Sequence, residues 1–198
     1  MSGLRRQSGS LLSAAPLGKT EPPASESSVP HPISPYGASK LAAEAYCLAY
    51  NGTWGIQTIA LRFSNVYGPL AEHKESVVAK IIKDAMSTSQ IRIDGTGEQT
   101  RDFIYVKDLC SAIAVAVDSQ VGGEVFQIGS GTETSINELV SKIQQVSGLV
   151  FATTHAPTRL GDVMRNYSDI SKARETFGWT PATSLTAGLA ETWKWFSR

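Results

Sequence analysis

The sequence predicts an α/β fold with a largely parallel sheet, because apolar strand segments alternate with helical segments along the chain. "GIQTIALRF" and "GEVFQIG" are typical of buried strands. "ESVVAKIIKDAMS" places its apolar residues on one face of a helix. Ligands of such sheets bind beyond the carboxyl ends of the strands, so we expect a site in the loops after "LRF" and "VFQIG".

A long helix follows a proline-rich approach. Residues 19–35 contain five prolines, which favour an extended loop because proline fixes φ and lacks a backbone donor. Ser34 is a plausible N-cap with Pro35 at the first helical position, and Asn51-Gly52 is predicted to end the helix.

The remaining elements follow in order along the chain. We predict two short strands around a glycine turn in "QIRIDGTGEQTRDFIYV" and a further short strand in "FATTHAP". Helices are predicted in "KDLCSAIAVAVD", "SINELVSKIQQVSG", "SDISKARETFGW" and "SLTAGLAETWKWFSR", and a loop in "SNVYGP".

Composition indicates a soluble globular protein, with 41% hydrophobic residues, 18% charged residues and no net charge among 198 residues. A neutral balance argues against a nucleic-acid partner, and no apolar run is long enough for a membrane span. Cys47 and Cys110 have no paired spacing, which predicts buried free thiols and a cytoplasmic location. His31, His73 and His155 lie far apart in the sequence, so no metal site is predicted. The basic, serine-containing first twenty residues leave a transit peptide open as an alternative.

The long helix carries a tyrosine and a lysine four residues apart. From Ala38 to Tyr50 only Ser39, Lys40 and Glu44 are polar, which predicts a helix buried on two sides. Tyr36 and Lys40 share a helical face, and a neighbouring ammonium favours the phenolate form of a tyrosine. Such a tyrosine can exchange a proton with a sugar or alcohol hydroxyl. The pair is common by chance, so an ordinary helix remains the alternative.

Several motifs in the same order resemble one family. "SPYGASKLAAE", "LRFSNVYGP", "GTGEQTRDFIYVKDL" and "TRLGDVMRNYSD" resemble the nucleotide-sugar epimerases and dehydratases of the extended short-chain dehydrogenase/reductase family. The resemblance runs from about Ser10 to the C-terminus and implies NAD as the cofactor and a nucleotide sugar as the substrate. It implies the C-terminal part of a Rossmann-like doubly wound sheet plus a smaller mixed α/β substrate-binding lobe. We expect residues 1–65 to be the remnant of the NAD-binding domain with the Tyr36 helix, and residues 66–198 to contain the last Rossmann elements and the substrate-binding lobe.

The resemblance implies three catalytic residues. Tyr36 would be the acid/base, and Lys40 would favour its phenolate form and hold the nicotinamide ribose. Ser13, in "LLSAAPLG", would hydrogen-bond the reacting hydroxyl, with Ser10 as a weaker candidate and a loop serine as the structural alternative. Ala14 and Ala15 stand where dehydratases of this family carry acids, and this favours epimerisation.

The resemblance also implies residues that contact the cofactor and the substrate. Phe63 would lie near the nicotinamide, and Asn65 would contact the sugar-phosphate region unless it only stabilises a turn. Arg101 would pair with the nucleotide diphosphate, for which a guanidinium is well shaped.

The "TRLGDVMRNYSD" segment would close over the nucleotide. Arg159 would be a second diphosphate contact, although either this residue or Arg101 could be a surface charge. Asp162 would contact the nucleotide ribose or orient the loop. Asn166 falls where related epimerases vary the bulk that controls entry of N-acetylated sugars, so the resemblance leaves an N-acetylhexosamine open as a substrate.

Gly129-x-Gly131, after a predicted strand, is similar to a dinucleotide fingerprint, but we interpret it as a structural turn because Thr134 replaces the third glycine. The family's own glycine-rich fingerprint is not found before Tyr36, which predicts an N-terminally truncated chain. The outer face of the Tyr36 helix would pack on the same helix of a second subunit, as in the family's homodimers.

The favoured function is NAD-dependent epimerisation of a nucleotide-diphosphate sugar, most similar to a UDP-hexose 4-epimerase. A nucleotide-sugar dehydratase or reductase is the alternative enzyme. A non-catalytic remnant that retains dimerisation or weak nucleotide-sugar binding is the alternative of another class. We expect little or no turnover by the isolated chain.

Overall fold

The computed structural model describes residues 7–13, 15–18, 20–158 and 163–198, with side chains from residue 16 onward within those ranges. A short 3-10 turn occupies Ala15–Leu17. In chain order the other elements are β1 (Gln7–Ser13), α1 (Pro35–Trp54), β2 (Gln57–Phe63), β3 (Asn65–Tyr67), α2 (Val77–Ser87), β4 (Gln90–Asp94), β5 (Thr100–Arg101), β6 (Phe103–Tyr105), α3 (Val106–Asp118), β7 (Glu124–Ile128), β8 (Thr134–Ser135), α4 (Ile136–Ser147), β9 (Ala152–Ala156), α5 (Ser171–Phe177) and α6 (Leu185–Phe196).

The main sheet is parallel, in the order β1-β2-β7, which confirms the predicted α/β class. Its register aligns Ser13, Phe63 and Ile128 at the carboxyl edge. Alternate residues of β2 point to opposite faces. Arg62 bonds to α1, whereas Leu61 belongs to a core cluster shared with α3 and α5, so the strand is buried on both sides. This explains the unbroken apolar run from Ile59 to Leu61 in the middle of the strand.

A second lobe is built from three short strand pairs. β3 pairs with β6 and β4 pairs with β9 in parallel, and β5 pairs with β8 in antiparallel orientation. Helices α2, α4 and α6 contribute to its core, whose fully buried members include Ile82, Leu139, Ile143 and Leu189. The lobe therefore has its own hydrophobic cluster, and Val66 and Ile104 of the β3–β6 pair pack in the cluster of the main sheet.

Helix α1 is longer than predicted. It continues past Asn51-Gly52 to Trp54, so the predicted end is wrong. Gly55 ends the helix, because its φ of 65° is the left-handed conformation that glycine adopts readily, and its N–H donates to the carbonyl of Asn51.

The outer face of α1 is exposed. Only Gly37 and Glu44 of this helix are buried, and Tyr46, Tyr50 and Trp54 are 67%, 46% and 64% exposed. The prediction that the helix is buried on two sides is therefore wrong for a single chain, because the main sheet covers one face only.

Two segments contain more strand than predicted. "SNVYGP" was expected to be a loop but contains β3, because Val66 pairs with Ile104 of β6. The segment expected to form two strands forms β4, β5 and β6. The additional pairs are two or three residues long, and partners distant in the sequence stabilise them.

Both cysteines are free thiols, but neither is buried. Cys47 is half-buried and Cys110 is exposed. Cys110 lies on the outer face of α3, whose inner face buries Leu109 and Ala112, so the prediction of buried thiols is wrong.

Candidate active site

The predicted acid/base pair lies at the beginning of α1. Ser34 caps this helix by accepting a hydrogen bond from the N–H of Gly37 at 3.0 Å. Lys40 follows Tyr36 by one turn, and its Nζ lies 5.4 Å from the centroid of the Tyr36 ring, close enough for a cation–π attraction. Tyr36 is 57% exposed, so its phenol can reach a ligand.

A buried ion pair joins this helix to the main sheet. Glu44 lies one turn beyond Lys40, on the face of α1 that also carries Tyr36. Its carboxylate accepts hydrogen bonds from Arg62 Nε at 2.7 Å and Arg62 Nη2 at 2.6 Å. Arg62 directly precedes Phe63 at the carboxyl end of β2. The pair therefore sets where the Tyr36 face lies relative to the edge of the sheet.

Two predicted residues are neighbours at that edge. Ser13 of β1 and Phe63 of β2 are register partners. The side chain of Ser13 lies outside the described part of the chain. Phe63 is half-buried and packs against the core cluster of the main sheet.

A cavity of about 310 Å³ lies in the second lobe, beside α2 and β4. Asn65 and Arg101 both line it, so the structure brings these two predicted binding residues together. Asn65 Nδ2 donates to the carbonyl of Asp102 at 3.1 Å. Arg101 Nη1 donates to the carbonyl of Val163 at 2.6 Å, which holds the guanidinium at the cavity wall.

The beginning of α2 also lines the cavity, and sequence reasoning missed it. Ser76 is the N-cap of α2, but its hydroxyl makes no capping hydrogen bond. The Ser76 Oγ is buried and has no hydrogen-bond partner among the described residues. The first N–H groups of a helix lack intrahelical acceptors and attract anions. The available signal was the serine that directly precedes an amphipathic helix.

The Gly129-x-Gly131 segment has a structural role in the main sheet. The buried Asp102 carboxylate accepts hydrogen bonds from the N–H groups of Ser130 at 2.7 Å and Gly131 at 3.2 Å. A side chain at Gly129 would collide with Asp102 and Ser64. Because Asp102 already occupies these N–H donors, the turn does not offer them to a phosphate.

The "TRLGDVMRNYSD" segment is described only in part. Arg159 and Asp162 lie outside the described residues. Asn166 is half-buried and lines a small pocket together with Leu17 and Gly18, which follow β1. Asn166 thus lies near the loop that follows Ser13, whereas neither Tyr36 nor Lys40 lines the larger cavity.

Comparison with known proteins defines the class. The chain belongs to the NAD dependent epimerase/dehydratase family, whose model matches residues 7–129. The UDP-glucose 4-epimerase of Mycolicibacterium smegmatis is 36% identical over 176 residues, which cover 88% of this chain and 56% of that protein. The dTDP-glucose 4,6-dehydratase of Streptomyces niveus is 32% identical over 166 residues, covering 83% of this chain and 49% of that protein.

The structural comparison gives the same class. The UDP-glucose 4-epimerase from Thermotoga maritima, solved with UDP-glucose, superposes with a TM-score of 0.92 at 33% identity, covering 98% of this chain and 64% of that chain. The fold is therefore Rossmann-like, and the family to which the chain belongs uses NAD. The chain spans about half to two thirds of the length of these relatives. None of the described helices is long and apolar enough to cross a membrane.

Proposed function

We propose that the chain carries the acid/base tyrosine and the nucleotide-binding lobe of an NAD-dependent UDP-hexose 4-epimerase. The observation that supports this proposal most is the cavity lined by Asn65 and Arg101. These residues lie 36 positions apart in the sequence, and the resemblance assigned both to the phosphate-bearing part of the substrate.

The cavity suits a nucleotide diphosphate in size, and part of its wall offers groups that bind phosphate. A volume of about 310 Å³ lies at the lower end of the range for small-molecule sites. Arg101 and Lys80 bring positive charge to the wall, and the beginning of α2 adds N–H groups and the Ser76 hydroxyl. Three carboxylates also line the cavity: Glu75 pairs with Lys83 at 2.8 Å, Asp94 lies 3.6 Å from Arg92, and the third is Asp84. The lining thus carries as many acidic as basic side chains, and the attraction for a phosphate is local to Arg101 and the beginning of α2. Phosphate oxygens would satisfy the buried Ser76 hydroxyl, which lacks a partner in the described chain.

The proton-transfer role falls to Tyr36. Its oxygen would remove the proton from a sugar hydroxyl and later return it, while Lys40 stabilises the phenolate. Tyr36 is exposed and Lys40 only half-buried, so both can meet a cofactor ribose, and these residues fit NAD. NAD, when bound, accepts a hydride from the sugar carbon and returns it. Ser13 would hold the reacting hydroxyl, and Phe63, its register partner, would lie near the nicotinamide.

Epimerisation is favoured over dehydration by the residues after Ser13. Ala14 and Ala15 have no group that could transfer the protons that loss of water requires. Dehydration is the second candidate reaction, because the chain is also similar to the dTDP-glucose 4,6-dehydratase of Streptomyces niveus. Asn166 would lie beside the hexose, because it shares its pocket with the residues that follow β1.

We also propose that the active form is a homodimer through α1. Tyr46, Tyr50 and Trp54 leave a contiguous aromatic face on this helix, and the rings of Tyr50 and Trp54 contact each other with centroids 4.7 Å apart. Large exposed apolar patches on soluble proteins mark interaction sites. A second copy of the same helix would cover the face symmetrically.

Titration of the chain with UDP, followed by calorimetry, tests the binding role directly. We expect saturable binding that Arg101→Met weakens by about tenfold to a hundredfold, the loss typical of a charge-assisted hydrogen bond. Tyr36→Phe is the matched control, because an exposed residue outside the cavity should leave UDP affinity unchanged. No binding by the wild-type chain would refute the proposal.

Interconversion of UDP-glucose and UDP-galactose with added NAD tests the reaction. Turnover that Tyr36→Phe abolishes at unchanged UDP affinity supports the epimerase. UDP binding without bound NAD and without turnover favours the non-catalytic alternative. Loss of water from the hexose of the nucleotide sugar, which yields a deoxy-sugar product, favours the dehydratase.

A further inference from the structure

Residues 163–169 form a strap between the second lobe and the loop before α1. At one end the N–H of Thr100 in β5 donates to the carbonyl of Met164 at 2.8 Å. At the other end the N–H of Ala24 donates to the carbonyl of Tyr167 at 2.9 Å. The strap therefore connects the cavity wall to the segment that leads into the Tyr36 helix.

The Glu133 carboxylate joins the strap to β5. Arg165 donates to the Glu133 carboxylate through Nε and through Nη2, each at 2.7 Å, in a bidentate ion pair. The hydroxyl of Thr100 donates to the same carboxylate at 2.6 Å. Hydrogen bonds from Arg165 and Thr100 lower the pKa of Glu133 to about 2, so the carboxylate is charged throughout the neutral range.

Two of the residues assigned to substrate binding flank this attachment. Arg101 directly follows Thr100, and its guanidinium donates to the carbonyl of Val163 in the strap at 2.6 Å. Asn166 directly follows Arg165 and lines the small pocket near the end of β1. Release of the strap would therefore move Asn166 and take away the Val163 carbonyl that holds the Arg101 guanidinium.

We propose that Glu133 is a positioning residue for nucleotide-sugar binding: by holding Arg165 it keeps the strap on β5, with Arg101 at the cavity and Asn166 beside the loop after β1. This inference rests on the proposed function of the cavity. A site held in its bound geometry before the ligand arrives avoids the entropy cost of ordering it on binding.

The alternative is an ordinary surface ion pair. The side chains of Arg165 and Glu133 are 56% and 25% exposed, and exposed pairs contribute little to global stability. Loss of the pair should therefore leave the unfolding temperature almost unchanged, and a positioning role must be visible in ligand affinity and in local opening.

The experiment titrates UDP into the wild-type chain, Glu133→Gln, Arg165→Met and the double variant. We expect each single substitution to weaken UDP binding about fivefold. The double variant should be no weaker than the singles, because both remove one interaction. Glu124→Gln is the matched control: it breaks a similar 2.7 Å ion pair with Lys172, and neither residue lines the cavity.

Amide hydrogen exchange at Thr100 provides a readout that does not depend on the ligand. Its N–H is bonded to the strap carbonyl of Met164, so release of the strap should speed exchange at Thr100. The N–H of Gly123, bonded to Thr58 in the main sheet, should exchange as in the wild type.

The outcomes separate the two proposals. Weaker UDP binding in both single variants, together with faster amide hydrogen exchange at Thr100 than in the wild type, supports the positioning role. Unchanged UDP affinity in Glu133→Gln overturns it, whether or not exchange at Thr100 changes. A wild-type chain that does not bind UDP overturns the proposed function of the cavity, and this inference with it.

Discussion

Replacement of Glu44 by glutamine would leave the Arg62 guanidinium charged and buried without its carboxylate. The two side chains are 6% and 3% exposed, and two hydrogen bonds of 2.6 and 2.7 Å join them. Removal of one partner from a buried ion pair costs about 3–5 kcal/mol. Glutamine keeps one acceptor, so we expect the lower end, a loss of about 3 kcal/mol in the free energy of unfolding.

Urea unfolding followed by tryptophan fluorescence measures this loss, because the chain contains four tryptophans. In a chain of this size 1 kcal/mol corresponds to about 2–4 °C, so the midpoint of thermal unfolding should fall by about 6–12 °C. Double replacement of Glu44 and Arg62 by methionine should recover much of the loss, since it leaves no buried charge unpaired.

The control is Glu124→Gln, which breaks the 2.7 Å ion pair with Lys172. Those side chains are 49% and 34% exposed, so we expect a loss of less than about 1 kcal/mol. If Glu44→Gln destabilises the chain no more than Glu124→Gln does, the buried pair does not fasten α1 to β2, and the argument that it sets the Tyr36 face is refuted.

Two further predictions concern pH and assembly. The pKa of Glu133 is lowered to about 2, so its contribution to stability is present above the usual glutamate pKa and disappears as pH falls through about 2. The difference in the free energy of unfolding between wild type and Glu133→Gln is small, because the group is partly exposed. It should stay constant from about pH 7 to 5 and vanish near pH 2. A difference that grows on acidification contradicts this prediction. In sedimentation, the wild-type chain should form a dimer that Trp54→Lys dissociates, since burial of an aromatic ring contributes about 1.5–3 kcal/mol to the free energy of association. A wild-type chain that stays monomeric at all concentrations would exclude the α1 interface.

The helix that carries Tyr36 and Lys40 was predictable because its signals are local. Ser34 and Pro35 determine where α1 begins, through a cap and a fixed φ, and neither depends on distant contacts. The alternation of strands and helices likewise predicted the parallel sheet. The end of α1 was missed because Gly52 can remain helical, whereas Gly55 adopts a left-handed conformation.

Features that depend on distant partners were not predictable. β5 and β8 are two residues long, and neither would form without the other. Glu133 lay within a glycine-containing segment and gave no sign that it meets Arg165, 32 residues later. The residue assignments Ser13, Tyr36, Lys40, Phe63, Asn65, Arg101, Arg159, Asp162 and Asn166 and the division at residues 65 and 66 stay predictions.

The direction in which the Arg101 side chain points follows from its two neighbours, Thr100 and Asp102. Successive side chains of a strand point to opposite faces, so Thr100 and Arg101 of β5 point to opposite faces, and Asp102 directly follows the strand. Thr100 is held by Glu133, and the buried Asp102 accepts hydrogen bonds from Ser130 and Gly131 and from the N–H of Ser168. Because both neighbours are anchored, a strand of two residues is sufficient to direct a guanidinium into the cavity. Loosening the partly exposed Glu133 anchor should therefore cost binding affinity before it costs global stability, whereas loss of the buried Asp102 carboxylate should cost both.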